Sequence, residues 1–250
     1  MSLFNLFKRK NQEPDYPPLA DFSAFSTDIH SHLIPGIDDG VKTIEESLDF
    51  IRTFIQLGFK RLVTTPHIMS DAYHNTPEII FSGLETLRKA AADAGLSIIL
   101  DAAAEYYVDE RLMDMLKNEK LLTLNGKYLL FEISYVNLPA NLYEIIFKMI
   151  EKGYTPVLAH PERYPFWFSK FDEYEKLKDA GVLFQLNTNS LCGYYGTAIK
   201  KMAERLVDAL MVDFIGSDMH GQRHMNALKN TLNEKYLWKL ATLPIKNRLL

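Results

Sequence analysis

Residues 153–164 read GYTPVLAHPERY, and the order of residue types in this stretch decides the fold class. A glycine closes a helical segment, because the residue after a helix takes a left-handed conformation that glycine adopts without a Cβ penalty. A short, nearly all-apolar run follows, Tyr154 to Ala159, as in a strand covered on both faces. Where that run ends stands a histidine, then an acid and an arginine. The same order recurs three more times: Gly58 precedes FKRLVTT, Gly95 precedes LSIIL and Gly181 precedes VLFQLN. With STDI at 26–29, KYLLF at 127–131 and VDFIGS at 212–217, seven strand candidates alternate with helices. Such alternation predicts an α/β domain around a parallel sheet, open or closed. Two helix starts are equally legible. Thr43 and Glu46 form a T-x-x-E box ahead of Ile44, Leu48, Ile51 and Ile55 on one face, and Thr76 precedes Pro77.

At 250 residues the chain has the length of one α/β barrel. Its 47% apolar and 24% charged residues are those of an ordinary globular protein, and a net charge of −4 gives no electrostatic case for nucleic acid. The single cysteine, Cys192, rules out an internal disulfide framework and suits a reducing cytoplasm. Residues 1–26 carry charges and prolines without a sustained period and read as a tail and linker ahead of a domain spanning 27–250. Within the tail, Leu3, Phe4, Leu6 and Phe7 followed by Lys8, Arg9 and Lys10 suggest peripheral membrane contact through residues 1–10; a frayed terminus is the plainer reading.

The strand ends share one property. STDI is followed by His30 and His32, RLVTT by His67, LSIILDAAA by Glu105, KYLLF by Glu132, TPVLA by His160, and VDFIGS by Asp218 and His220. Parallel α/β folds gather the carboxyl ends of their strands on one face, and that face carries the active site. Taken singly, each residue also reads as an ordinary hydrogen-bonded side chain, and Asp38-Asp39-Gly40 as a turn. Taken together, five of the seven histidines and several carboxylates on one face cost several kcal/mol in desolvation and repulsion unless cations join them. Imidazole and carboxylate without thiolate suit manganese, iron(II) or zinc, and the donors are enough for two or three ions.

Arg163 in HPERY and Arg223 in SDMHGQRH are candidates for holding a phosphate oxygen; pairing with a nearby carboxylate is the alternative for each. His74 and His224 read as surface residues or helpers. Cys192 lacks the arginine six positions on that a cysteine phosphatase needs, since residue 198 is Ala198. No P-loop, G-x-S-x-G elbow or H-E-x-x-H helix is present in the sequence.

In order, DIHSHLIPGIDDG, TTPH, AAAEYY, LLFE, LAHPERY and SDMH resemble the polymerase and histidinol phosphatase (PHP) superfamily. Within it they resemble the bacterial manganese-dependent protein-tyrosine phosphatases linked to capsule and exopolysaccharide synthesis. The resemblance implies a single-domain PHP fold, a distorted (β/α)7 TIM-like barrel with three divalent metal ions, manganese first and iron or zinc otherwise. It assigns His30, His32, Glu105 and Asp218 to one ion, Glu105, Glu132 and His160 to a second, and Asp39, His67 and His220 to a third. It makes Arg163 and Arg223 phosphate-binding residues and a hydroxide bridging the metals the nucleophile. The implied partner is a phosphotyrosine-bearing protein, a bacterial tyrosine kinase regulating polysaccharide synthesis, met in the cytoplasm or at its membrane face. A small phosphomonoester such as histidinol phosphate, and a metal-stabilised binding module without turnover, are the competing readings.

Overall fold

The computed structural model describes residues 16–250; residues 1–10, and with them the expected membrane contact, lie outside it. Strand β1 (Thr27–Asp28) leads to helix α1 (Ile44–Gln56), where Thr43 accepts from the Glu46 amide as the T-x-x-E box predicts. The Glu46 carboxylate reaches back to the amide of Lys42, one residue earlier than the usual partner. Gly58 closes the turn with φ of +90°. Then come β2 (Arg61–Thr64), β3 (His67–Ile68), α2 (Pro77–Asp93), β4 (Ile99–Ala102), β5 (Glu105–Tyr107) and α3 (Glu110–Asn118). From there strands and helices alternate: β6 (Tyr128–Glu132), α4 (Leu142–Glu151), β7 (Thr155–Ala159), α5 (Asp172–Asp179), β8 (Leu183–Asn187), α6 (Thr197–Asp208) and β9 (Phe214–Gly216), followed by α7 (Gln222–Thr231) and α8 (Lys235–Thr242).

Every strand pairing in the two sheets is parallel, with orders β1-β2-β4 and β3-β5-β6-β7-β8-β9. Two of the expected strands are each followed by a further short strand. The run through RLVTT stops at Thr64 and resumes as β3, and the run after Gly95 stops at Ala102 and resumes as β5. His67 and Glu105 therefore stand inside short strands, as register partners of each other, and not in loops beyond them.

The first and last strands approach each other along a seam. Ser31 and Met219 form an isolated parallel bridge. Deeper in, buried Asp28 accepts from both the amide and the hydroxyl of Ser217, at 2.7 and 2.8 Å. At its base, buried Asn247 donates to the carbonyls of Thr27 and Ile215, and accepts from the Ile215 amide. Side chains thus supply the hydrogen bonds that a continuous ladder would make.

Two apolar clusters fill the domain. The larger lies between strands and helices, and the smaller, with Ile29, Val63, Leu130, Val157 and Phe214, is formed mostly by strand side chains of the opposite face. Phe22 and Phe25 belong to the larger cluster and are fully buried. The packed body thus begins before residue 27, where composition alone draws the boundary, because Phe22 and Phe25, with Leu19 and Ala24 beside them, anchor the approach to β1. Among the described residues no helix is long and apolar enough to cross a membrane.

Candidate metal centre

Parallel pairing forces the strand ends to one side, and the imidazoles and carboxylates expected at those ends meet there. Glu105 is the hub. Its Oε2 lies 3.1 Å from His30 Nε2 and 3.2 Å from His67 Nδ1, and its Oε1 lies 3.1 Å from His160 Nε2. Asp218 Oδ1 is 3.5 Å from the Nε2 atoms of both His30 and His32 and 3.3 Å from His220 Nδ1. Glu132 faces His67 at 3.4 Å and His160 at 3.8 Å. At the outer edge, half-exposed Asp39 stands 3.5 Å from His67 Nε2 and 3.3 Å from His220 Nε2.

Backbone geometry helps to aim these groups. His160 and Asp218, each just past a strand, have φ of +35° and +51°, a region non-glycine residues rarely occupy and one that recurs at functional sites. Each is held by a backbone hydrogen bond, His160 N to Gln185 O at 2.7 Å and Asp218 N to His30 O at 2.8 Å. Two glycines make room for the paired histidines. A Cβ on Gly40 would fall 2.4 Å from His32 Cβ, and one on Gly216 would fall 2.6 Å from His30 Cβ.

The electrostatics are those of a cluster in need of cations. Burial opposes charge on Glu105 and Asp218, yet neighbouring imidazoles prevail and hold both carboxyls well below their usual range. Burial, joined by the negative charges of Glu105 and Asp218, drives Glu132 well above it. Burial and the charge of Arg163 push His160 down to about 4. The Nε2 atoms of His30 and His32 face each other at 3.4 Å. His67 Nδ1 is buried without a hydrogen bond, although carboxylate oxygens lie at 3.2 and 3.4 Å. An imidazole lone pair aimed at carboxylates that do not hydrogen-bond to it is suited to a cation between them. Three donor groups lie within 4.8 Å internally: His32, Asp39, His67 and His220; His30, His32 and Glu105; and His67, Glu105 and Glu132. They use all the expected ligands except His160 and Asp218, and draw the lines between ions differently from the grouping that the resemblance implies.

Several partners of these groups went unread in the sequence. Asp38, for which a turn is the plain alternative in the sequence, is buried, and its Oδ2 lies 2.7 Å from His32 Nδ1. Gln185 Oε1 holds His30 Nδ1 at the same distance. Buried Glu162, its carboxyl raised to about 7 by desolvation, accepts from Ser190 Oγ and Asn187 N and so ties the HPERY turn to the end of β8. Asp38 is adjacent to an expected ligand and Glu162 to Arg163, so both are within reach of pattern reading; Gln185 carries no local signal.

A cavity of about 690 Å³ opens above the cluster, lined in part by Asp39, His67, Glu132, His160, Arg163 and His220, with Tyr73, Tyr107, Tyr135 and Tyr195 among its walls. Arg163 donates to Asp218 Oδ2 at 2.8 Å. Arg223 is placed differently from expectation. It is exposed on α7 and borders a separate depression with Cys192 and Asn230, while its neighbour His224 lines the central cavity. Successive helix residues point about 100° apart, so the face that admits one of the pair excludes the other. His74 is exposed and outside the cluster.

A parallel α/β scaffold whose strand ends converge as buried imidazoles and carboxylates defines a protein able to hold divalent metal ions. More narrowly, the chain belongs to the CpsB/CapC family of capsular polysaccharide synthesis, whose model matches residues 26–240. It is 28% identical over 200 residues to the tyrosine-protein phosphatase YwqE of Bacillus subtilis, covering 80% of this chain and 79% of that one. It is likewise 28% identical over 199 residues to the tyrosine-protein phosphatase CpsB of Streptococcus agalactiae, covering 77% and 82%. A crystal structure from work on YwqE of B. subtilis and CpsB of Streptococcus pneumoniae, described as metal-dependent tyrosine phosphatases, matches with a TM-score of 0.75. Identity there is 27%, over 82% of this chain and 85% of the other.

Proposed function

We propose that this protein is a metal-dependent protein-tyrosine phosphatase. The observation that carries the reading is Glu105, whose two oxygens lie within 3.5 Å of four imidazoles, those of His30, His32, His67 and His160, beside a cavity that also holds Arg163. One carboxylate shared in this way suits bridging between neighbouring ions. His30, His32, Asp39, His67, Glu105, Glu132, His160, Asp218 and His220 are the proposed ligands of three ions, with manganese the expected metal and iron or zinc chemically compatible. The two sheets and the Ser31–Met219 bridge are read as one distorted barrel of seven β/α units.

When bound, such ions supply an acidified water and charge neutralisation at the phosphoryl group. The chain's residues do the rest. Arg163 presents guanidinium N–H groups to the phosphoryl oxygens, whose charge spreads in the transition state. Glu105 and Asp218, ionised despite burial, keep the centre anionic and so retain cations. The aromatic walls suit the ring of a phosphotyrosine. Tyrosinate, of parent pKa about 10, leaves with little help from a general acid.

The substrate proposed is a phosphotyrosine-bearing protein of capsular polysaccharide synthesis, a bacterial tyrosine kinase, met in the cytoplasm. Family membership supports the pathway, and the likeness to the tyrosine-protein phosphatases YwqE and CpsB supports the chemistry. Purified protein given manganese is expected to hydrolyse an aryl phosphate, to stop on chelation, and to prefer a phosphotyrosine peptide over histidinol phosphate. Retained metal without turnover would leave a binding module instead.

A further inference from the structure

Two tyrosine rings bear on one guanidinium. Arg163 Cζ lies 4.2 Å from the ring centroid of Tyr195 and 4.9 Å from that of Tyr135. Among the described residues the guanidinium's only hydrogen bond to protein is the one from Nη1 to Asp218. The remaining N–H groups belong to a side chain that lines the cavity. Both rings are themselves fixed. The Tyr195 hydroxyl accepts from Asn187 Nδ2 at 3.2 Å, and that same amide donates to Asp218 Oδ2 at 2.8 Å. The Tyr135 ring stacks on His160 at 5.7 Å and on Tyr164 at 5.5 Å.

We infer that Tyr195 and Tyr135 are positioning residues that clamp the Arg163 guanidinium for phosphate; the inference rests on the proposed function. Aromatic faces attract a cation without using its N–H groups, so the clamp leaves those groups for a phosphoryl oxygen. It also restricts a long, flexible side chain before the substrate arrives, which favours binding through preorganisation. Tyr195 comes from the loop between β8 and α6 and Tyr135 from the segment after β6, so two separate elements converge on a residue of a third. The hydroxyl of Tyr195 serves to set the ring against Asn187, and the ring face acts on the arginine.

The test is a double-mutant cycle on the metal-loaded protein, read in two ways: inorganic phosphate binding by calorimetry, and KM and kcat for an aryl phosphate. Tyr195→Ala is expected to weaken phosphate binding and raise KM by about tenfold each, with a smaller change in kcat. Tyr195→Phe keeps the ring and recovers binding to within about twofold of the unmodified protein. In an Arg163→Ala background, Tyr195→Ala adds less than about twofold, because nothing is left to clamp. Tyr135→Ala repeats the comparison from the other ring, which also packs on His160; metal content is measured for every variant, and Tyr195→Ala is expected to keep that of the unmodified protein. A tenfold loss that persists in the Arg163→Ala background, or that comes with loss of metal, overturns the clamp. If the unmodified protein binds phosphate but hydrolyses no aryl phosphate, the proposed function falls while the binding cycle still decides the clamp.

Discussion

His67 and Glu105 face each other as register partners in the β3–β5 pair, with Nδ1 of the one 3.2 Å from Oε2 of the other. The same Glu105 oxygen stands 3.1 Å from His30 Nε2. Removing its charge without changing its shape therefore tests the whole centre. Glu105→Gln is expected to lose bound metal and to lower turnover by more than about 100-fold, a larger effect than typical of groups outside the ligand set. Elemental analysis and aryl phosphate hydrolysis check it together; a variant with full metal content and wild-type rate would show that the hub is only structural.

Asp38 touches His32 Nδ1 and so fixes which imidazole nitrogen faces the cluster. Asp38→Asn is expected to leave the fold intact and to weaken metal affinity by about 10–100-fold. Titration of metal-stripped protein with manganese measures this. Unchanged affinity would mean that the His32 ring is oriented by packing alone.

Gly216 lies against His30, where an added Cβ would meet His30 Cβ at 2.6 Å and Gln185 Nε2 at 2.8 Å. Gly216→Ala is expected to cost about 1–3 kcal/mol through overpacking, and to lower metal content because His30 must shift. Urea unfolding and elemental analysis report the two effects; an unaltered denaturation midpoint would contradict the contact.

Asn247 joins β1 and β9 through three hydrogen bonds of 2.8 to 2.9 Å in a fully buried setting. Asn247→Ala leaves those backbone groups without partners and is expected to destabilise the domain by about 2–4 kcal/mol. The denaturation midpoint should fall, while metal-binding stoichiometry in native conditions stays the same. A change below experimental error would show that the seam needs no side-chain support.

Metal loading should depend on pH in one direction. Burial opposes a proton on His30 and His32, but Glu105 and Asp218 beside the first and Asp38 beside the second prevail, holding both above the ordinary imidazole value of 6.5. An imidazole ligand must be neutral, so loading expels those protons, and affinity falls as pH drops. Calorimetry of manganese binding in buffers of different ionisation enthalpy should reveal proton release. Identical heats in all buffers would count against these histidines as ligands.

Much of the fold was readable because its signals are local. A glycine after each of four helices, apolar runs of strand length and the Thr43 and Thr76 caps report backbone geometry within a few residues. The short strands β3 and β5 were not readable, because two or three residues show no period and the register with neighbouring strands sets where pairing resumes after Thr65-Pro66 and Ala103-Ala104. The candidate ligands were visible for a related reason: each stands at or near a strand end, and parallel pairing brings such ends together. The segment SDMHGQRH does not by itself show which residue of α7 faces inward; in the folded chain His224 lines the cavity and Arg223 is exposed.

The order of elements and the identity of the groups that crowd the strand ends were settled by the chain itself, since both follow from short-range periodicity and the one-sidedness of parallel sheets. Distances between groups far apart in sequence were settled only by the folded body. That is where Gln185 and Glu162 acquire their buried partners, where two tyrosines meet Arg163, and where Asn247 binds the first strand to the last. No local pattern encodes these contacts, because each depends on packing between segments whose separation in the chain says nothing about their distance in space.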